Sequence, residues 1–426
     1  MKVLVIGSGG REHAMCWALS HSPLLSKLYI APGNGGMHDL GECVEIAVHD
    51  HQTVIAFCRL MSIDLIVIGP EAPLVAGLAD DLEAAGFLVV GPSAAAAQLE
   101  GSKAFTKQLC DHYNLPTARY KRFNTSKHAI DYVKTQAMPL VIKADGLAAG
   151  KGVIIAQTQK EAINAIQDIL DTKVFGDAGN SLVIEEFLEG EEISFFALCD
   201  GKTALPFGSA QDHKRVGDGD TGPNTGGMGT YSPAPVMNDA LHEKIMQHII
   251  SPALKGMEQD GHIFKGFLFA GLMINDNEPK LIEFNVRMGD PETQVILSRL
   301  KTDFLQLLLA TAEGSLDKQT IEFHPHAAVC VVMAAKGYPG TYQKGSVINN
   351  LEAATTLPHV QIFHAGTSLK NGNMIATGGR VLGVTATGAS VLDAQQQAYK
   401  AVDLIQWPEG FCRKDIAWRA INRLRS

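Results

Sequence analysis

The hydrophobic pattern changes its rhythm twice along the 426 residues. Up to about residue 100, short apolar runs alternate with amphipathic stretches. This predicts strands over 3–6, 28–30, 65–68 and 88–90, with helices over 11–20, 52–61 and 74–85 between them. Strand then helix, repeated, predicts a doubly wound parallel sheet. Gly91-Pro92-Ser93 stops the fourth strand and an Ala-rich helix follows. After about 104, strands over 139–144, 153–156, 182–187 and 193–199 surround one helix over 160–170, which predicts a more antiparallel unit. Residues 208–235 are polar and Gly-rich and predict a long loop. A helix over 239–259, strands over 266–274 and 280–286, and a helix to about 313 complete this part. From about 320, strands over 327–335, 361–364 and 379–386 and helices over 390–404 and 413–424 predict a third, α+β unit. The division is therefore 1–103, 104–313 and 314–426, an α/β and α+β multidomain chain.

Composition narrows the functional classes. Hydrophobic residues make up 46% and charged residues 19%, enough for a sizeable core. A net charge of -9 opposes nucleic-acid binding, which needs clustered Lys and Arg, but leaves room for small phosphorylated ligands at locally cationic loops. Seven cysteines with no C-x-x-C pair read as reduced thiols. Met1–Gly7 lacks the features of a signal peptide, and no run approaches the ~20 apolar residues of a membrane span. The expectation is a cytoplasmic protein with no membrane partner.

Five motifs carry candidate chemistry. Gly7-Ser8-Gly9-Gly10-Arg11-Glu12-His13 follows the first strand, where glycines let a phosphate approach the backbone and the next helix offers free N–H groups. Glu12 replaces the third glycine of a dinucleotide fingerprint, and the second strand ends in Ala31-Pro32-Gly33 without an acid for a ribose. A phosphorylated small molecule fits better than a dinucleotide; a plain tight turn is the alternative. Val141-Ile142-Lys143-Ala144-Asp145-Gly146, continuing through Gly150-Lys151-Gly152, is a glycine hairpin behind a lysine, suited to closing over phosphates. It is no Walker A loop, because three residues separate Gly146 from Gly150 and Gly152 stands where Ser or Thr would hold a metal. Val183–Glu192 runs from an apolar strand into a dense acidic cluster, which is either a hinge reading an adenosine or a solvated turn.

The most specific motif is Glu283-Phe284-Asn285-Val286-Arg287, then Gly289-Asp290-Pro291-Glu292. Alternation along a strand puts Glu283, Asn285 and Arg287 on one face and Ile282, Phe284 and Val286 on the other. A carboxylate and an amide oxygen two residues apart suit a hard cation such as Mg²⁺, and Arg287 suits a transferring phosphoryl group. Lastly, Asp212-His213-Lys214-Arg215 precedes six glycines between 217 and 229, either a linker or a loop that closes over substrate. The charge state of His213 is open at this point.

In this order the motifs resemble the ATP-grasp superfamily and, within it, the glycinamide ribonucleotide synthetase family. Gly9-Gly10-Arg11-Glu12-His13-Ala14, Gly69-Pro70-Glu71-Ala72-Pro73-Leu74, Leu99-Glu100-Gly101-Ser102-Lys103, residues 211–229, residues 284–293 and Phe411-Cys412-Arg413-Lys414-Asp415-Ile416 carry the likeness over essentially the whole chain. The family often has Asn at Ser8, Cys at Val286 and Phe at Met288, none a charge change. Many ATP-grasp enzymes also place an acidic ligand on the strand before the metal strand; residues 267–274 have none. The resemblance implies a doubly wound N-terminal domain, a central ATP-grasp domain with a lid over about 119–190, and an α+β C-terminal domain. It implies ATP and Mg²⁺ (or Mn²⁺), with glycine and 5-phosphoribosylamine as substrates joined through glycyl phosphate. Carried over by motif, Lys103, Lys143 and Gly150 contact nucleotide phosphates, and Glu186, Leu188 and Glu192 hold adenosine. Glu283 and Asn285 bind the metal, Arg287 and Asp290 are catalytic, and Gly9, Gly10 and Asp212 belong to the substrate side. Rival readings are another carboxylate–amine ligase, a carboxylase, a nicotinamide-dependent dehydrogenase, or a nucleotide sensor without catalysis.

Overall fold

The computed structural model describes residues 1–148 and 152–423. The first sheet is parallel: β1 Lys2–Gly7, β2 Lys27–Pro32, β3 Glu42–Cys43, β4 Leu65–Ile68 and β5 Leu88–Val90 lie in the order β3-β2-β1-β4-β5. The chain leaves β1 toward one edge and returns to its other side with β4. The turns after β1 and β4 therefore diverge and open a crevice at the carboxyl ends of the strands. The helix expected over 74–85 is split into Glu71–Val75 and Leu78–Ala84, because Gly77 between them adopts φ +88°. The Ala-rich stretch yields only the short helix Gln98–Gly101. Ser102 then starts the helix Lys103–Tyr113, its hydroxyl accepting from the Phe105 N–H at 3.1 Å.

A small antiparallel sheet follows, with β6 Tyr120–Phe123, β7 Leu140–Ala144, β8 Val153–Ala156 and β9 Leu182–Glu186 in the order β6-β9-β7-β8. Helices Ser126–Val133 and Gln159–Leu170 cover one of its faces. Their apolar stripes pack with Ile142 and Ile184 into a hydrophobic cluster separate from the rest of the core.

The remaining strands are β10 Glu191–Asp200, β11 Ala204–Asp212, β12 Arg215–Gly217, β13 Thr221–Asn224, β14 Gly229–Ser232, β15 Lys265–Asn275, β16 Glu278–Asn285, β17 Ala327–Ala335, β18 Val347–Ile348, β19 Val360–His364, β20 Thr367–Lys370, β21 Asn373–Ala376, β22 Arg380–Gly388 and β23 Gly410–Phe411. Most join one long sheet in the order β16-β15-β10-β11-β14-β17-β22-β19, with β23 on β17. It crosses from the central unit into the C-terminal one through β14, which pairs with β11 on one side and β17 on the other.

That continuity corrects the loop expected over 208–235. The stretch holds the end of β11, the β12–β13 hairpin and β14. Its polar residues mislead because they are buried with backbone partners: the Thr230 hydroxyl donates to the Gln211 carbonyl at 2.9 Å, and that of Ser232 to Ser209 at 2.7 Å. Gly229 is there for close approach, since a Cβ would lie 2.6 Å from the Cys330 carbonyl oxygen. Two helix expectations also change. The run to 313 divides into Glu292–Leu297 and Phe304–Glu313, and the last helix is Trp418–Arg423, with 413–417 outside it.

Candidate active site

Strand register assembles the first half of the site. Ser194 on β10 lies opposite Gly271 on β15, and Gly271 lies opposite Glu283 on β16. Side chains two apart share a face, so Glu192 and Ser194 stand on the same surface as Glu283 and Asn285. Phe284 and Val286 point into the core as expected. Ile282 is only half-buried, because the register slips by one residue beside it, between Gly271 and Leu272.

Lysines converge on this face. Lys103 Nζ lies 3.1 Å from Glu283 Oε2, and Lys103, with Lys214 and Lys143 against the cost of burial, holds the Glu283 carboxyl far below its usual range. Lys143 Nζ is 2.9 Å from Glu185 Oε2 and donates to the Ile282 carbonyl at 3.2 Å, while Lys107 Nζ is 3.3 Å from Glu185 Oε1. Lys214 pairs with Glu192. Four lysines (103, 107, 143, 214) thus face three carboxylates (185, 192, 283), a net cationic surface suited to a phosphate chain. Glu186 turns away: its carboxylate accepts from Arg119 N at 3.0 Å and Arg119 Nε at 2.6 Å. Leu188 is half-buried in the turn between β9 and β10. Gly150 lies outside the described residues.

Glu283 and Asn285 offer one ionised carboxylate and one amide oxygen. No cluster of three His, Cys, Asp or Glu side chains forms a metal cage among the described residues. Two hard oxygen donors on a cationic face fit a divalent cation that takes its other ligands from phosphate and water. Arg287 adjoins them: Nη2 donates to Asn285 Oδ1 at 3.2 Å and to Glu100 Oε1 at 2.8 Å, and Nε is 3.4 Å from Glu71 Oε2. Glu100 also accepts from the Val286 N–H at 2.8 Å, so Glu71 and Glu100, both of the first unit, aim the arginine.

The second half of the site lies at the crevice of the parallel sheet. Glu12 accepts from Gly9 N at 2.7 Å and from Arg11 Nε at 2.5 Å, and a Cβ on Gly7 or Gly69 would overlap its side chain at 2.3 or 2.2 Å. Glu12 thus fills the space that a dinucleotide fingerprint leaves to glycine. Above the turn sits Asp290, whose Oδ2 would be 3.2 Å from a Cβ on Gly9; Gly10 faces Gln294, which donates to Asp290 Oδ1 at 2.9 Å. A cleft of about 360 Å³ opens here between Gly7–Gly9, Arg11, Pro32, Pro70 and Asp290. Arg380, on β22, donates to the Asp290 carbonyl at 2.6 Å and lies 3.5 Å from its carboxylate. Burial works against ionisation of Asp290, but Arg380 and Arg11 hold its pKa below the usual range. Asp212 is the opposite case: burial first, then Glu292, push its carboxyl well up, and Ser194 donates to Glu292 at 2.8 Å.

Lys107, Glu185, Lys214, Glu292 and Arg380 were given no role from the sequence. Lys107 is one helical turn after Lys103, which is a usable signal. Arg380 has none, being remote in sequence.

A cationic sheet face carrying Glu283 and Asn285, beside a small antiparallel sheet with Lys143, defines an ATP-grasp protein. Family models described as the ATP-grasp (A), N and C domains of phosphoribosylglycinamide synthetase match residues 101–293, 1–100 and 328–419. The chain belongs to the phosphoribosylglycinamide synthetase family. A phosphoribosylamine–glycine ligase of Agrobacterium fabrum is 58% identical over 423 residues, 99% of each chain. The crystal structure of phosphoribosylamine–glycine ligase from Thermotoga maritima matches with a TM-score of 0.85 at 34% identity, covering 98% of this chain and all of that one. A biotin carboxylase–ATP complex from Campylobacter jejuni matches with a TM-score of 0.73 at 14% identity over 96% of this chain and 92% of that one, a likeness of fold alone.

Proposed function

We propose that the chain joins glycine to 5-phosphoribosylamine, giving glycinamide ribonucleotide, ADP and phosphate through glycyl phosphate, a step of purine biosynthesis. The observation that carries this reading is the continuity of two surfaces. The lysine-lined face around Glu283 runs through Arg287 and Glu71 to Arg11 in the wall of the Gly9–Asp290 cleft, so a phosphoryl donor and a phosphorylated amine can reach adjoining points. Lys103 and Lys143 hold the phosphates of ATP. Leu188 and Glu192 line the adenosine side, and Glu186, tied to Arg119, fixes the adjoining turn. Glu283 and Asn285 would hold Mg²⁺ or Mn²⁺, which supplies positive charge to the transferring phosphoryl group. Arg287 adds a fixed charge beside it, and glycine's carboxylate is the nucleophile. Gly9 and Gly10 let the ribosylamine phosphate approach the backbone, Asp290 faces the amine, and Asp212 stands toward glycine.

No helix among the described residues is long and apolar enough to cross a membrane, and all seven cysteines are unpaired. Unpaired thiols suit the reducing cytoplasm, where we place the protein.

The test is ADP release by the purified chain with ATP, Mg²⁺, glycine and phosphoribosylamine, omitting one substrate at a time. ADP should form at rate only with both. Undiminished release without glycine, or a preference for bicarbonate, would overturn the assignment in favour of another ATP-grasp reaction.

A further inference from the structure

Lys214 sits at the base of the β12–β13 hairpin, and both its neighbours in sequence are tied to the far end of the chain. Ahead of it, His213 Nε2 accepts from the Ala417 N–H at 3.1 Å. Behind it, the Arg215 carbonyl accepts from Arg413 Nη1 at 3.1 Å. The hairpin's turn is held by the same segment: Arg413 Nη1 to Asp220 Oδ1 at 2.9 Å, Arg419 to Asp220, the Lys414 N–H to Asp218 Oδ1 at 2.8 Å, and the Gly219 N–H to Asp415 Oδ2 at 2.8 Å. Thr225 closes the hairpin by donating to the Lys214 carbonyl through its N–H at 2.7 Å and its hydroxyl at 2.9 Å. The Arg413 side chain is fully buried, so these are fixed contacts. Farther along, Arg423 reaches Glu191, next to the Glu192 that pairs with Lys214.

We propose that residues 413–423 are a positioning element for the nucleotide site, pinning the β12–β13 hairpin so that Lys214 is held over the face that carries Glu192 and Glu283. This rests on the reading of that face as the ATP site. The segment's contacts named above fall on the hairpin, His213 and Glu191 rather than on the Lys214 side chain. Its effect runs through the residues on either side of Lys214, the His213 imidazole and the Arg215 carbonyl, which fix the point from which the Lys214 side chain reaches toward a phosphate. Fixing that point beforehand raises affinity without a new contact.

Two substitutions test this. Asp220→Asn removes the charge shared by Arg413 and Arg419 at nearly constant volume, and Arg419→Ala removes the partly exposed partner alone. Each is titrated with Mg²⁺ and a non-hydrolysable ATP analogue, and separately with AMP, which lacks the phosphates beyond the first. The expected result is about a tenfold loss for the triphosphate, the size of an ordinary coupling between contacting groups, with AMP affinity and the KM for glycine unchanged. Combining either with Lys214→Met should add nothing to the loss from Lys214→Met alone. Equal losses for AMP and the triphosphate, as from general loosening, or no loss in either variant would overturn the inference. If Asp220→Asn does not fold, Arg419→Ala decides the matter. A wild-type chain that binds neither nucleotide would instead overturn the proposed function.

Discussion

Three lysines of the site, Lys103, Lys214 and Lys143, act together on Glu283, and that explains both its ionisation and its expected sensitivity. Glu283→Gln keeps the shape but removes the charge that orients Lys103 and a bound cation. Turnover should fall on the order of 10²–10³, the scale seen when one preorganised electrostatic contact is lost, while circular dichroism stays native. Near-normal turnover with normal Mg²⁺ dependence would remove Glu283 from the site. Its place was legible because strand alternation ranks Glu283, Asn285 and Arg287 together. Glu185 was not, because five glutamates crowd residues 185–192 and only burial singles it out from Glu186. His213 was undecidable from the chain alone. It is buried, with Nδ1 on the Gly229 carbonyl and Nε2 accepting from Ala417, and burial lowers its pKa to about 4. The unfolded chain takes up a proton near pH 6.5 that the folded one refuses, so stability is full above that pH and falls as pH drops toward 4. At pH 5 the loss from this group is about 2 kcal/mol. Thermal midpoints measured from pH 7.5 to pH 5 should therefore fall less steeply for His213→Gln than for the wild type; parallel curves would mean that the imidazole titrates normally.

The small sheet β6–β9 is the element with most independence. Its hydrophobic cluster, including Ile142, Ile166, Ile169 and Ile184, is separate from the cores of the larger sheets, and its buried Lys143–Glu185–Lys107 linkage joins it to the helix Lys103–Tyr113. A unit with its own core opens on its own. Ile166→Ala should cost about 2–5 kcal/mol locally, speeding amide exchange through residues 120–186 and leaving β10, β15 and β17 as slow as before. Adding ATP and Mg²⁺ should slow exchange in the same span. Uniform acceleration throughout the molecule, or no response to nucleotide, would contradict a lid with its own core that closes over ATP. Among elements, the strands 65–68, 153–156 and 327–335 were legible to the residue, since each is an apolar run bounded by turns. β6 and the helix Ser126–Val133 were not, because their outward faces are polar and the segments are short. β14 failed differently: Thr230 and Ser232 look solvent-facing and are wholly buried.

On the scale of the molecule, one sheet carries both ends of the chemistry. β16 bears Glu283 and Asn285, β22 bears Arg380, and β15, β10, β11, β14 and β17 join them, so the C-terminal unit reaches Asp290 across a rigid frame. Sequence patterning marks the three units but not this frame, because strand order depends on pairings between residues about a hundred positions apart. The frame bears on how a carboxylate is activated. ATP can yield an acyl phosphate and ADP, or an acyl adenylate and pyrophosphate. Lys103, Lys143 and Lys214 gather around Glu283, where the proposed function puts the phosphate chain, and on that reading Arg287, on the side toward the Gly9–Asp290 cleft, stands where a γ-phosphoryl group would be attacked. At the adenosine end the cations found beside Glu186, Arg119 and Lys280, both already pair with its carboxylate, which leaves neither aimed at a departing pyrophosphate. With glycine labelled by ¹⁸O in both carboxylate oxygens, one label should therefore appear in inorganic phosphate and the other in the amide, with ADP as coproduct. The oxygen that attacks phosphorus becomes the bridge of glycyl phosphate and leaves with phosphate when the amine attacks the carbonyl carbon. Label in AMP, with accumulating pyrophosphate, would place the attack at the α-phosphorus and would take from Arg287 the role given to it.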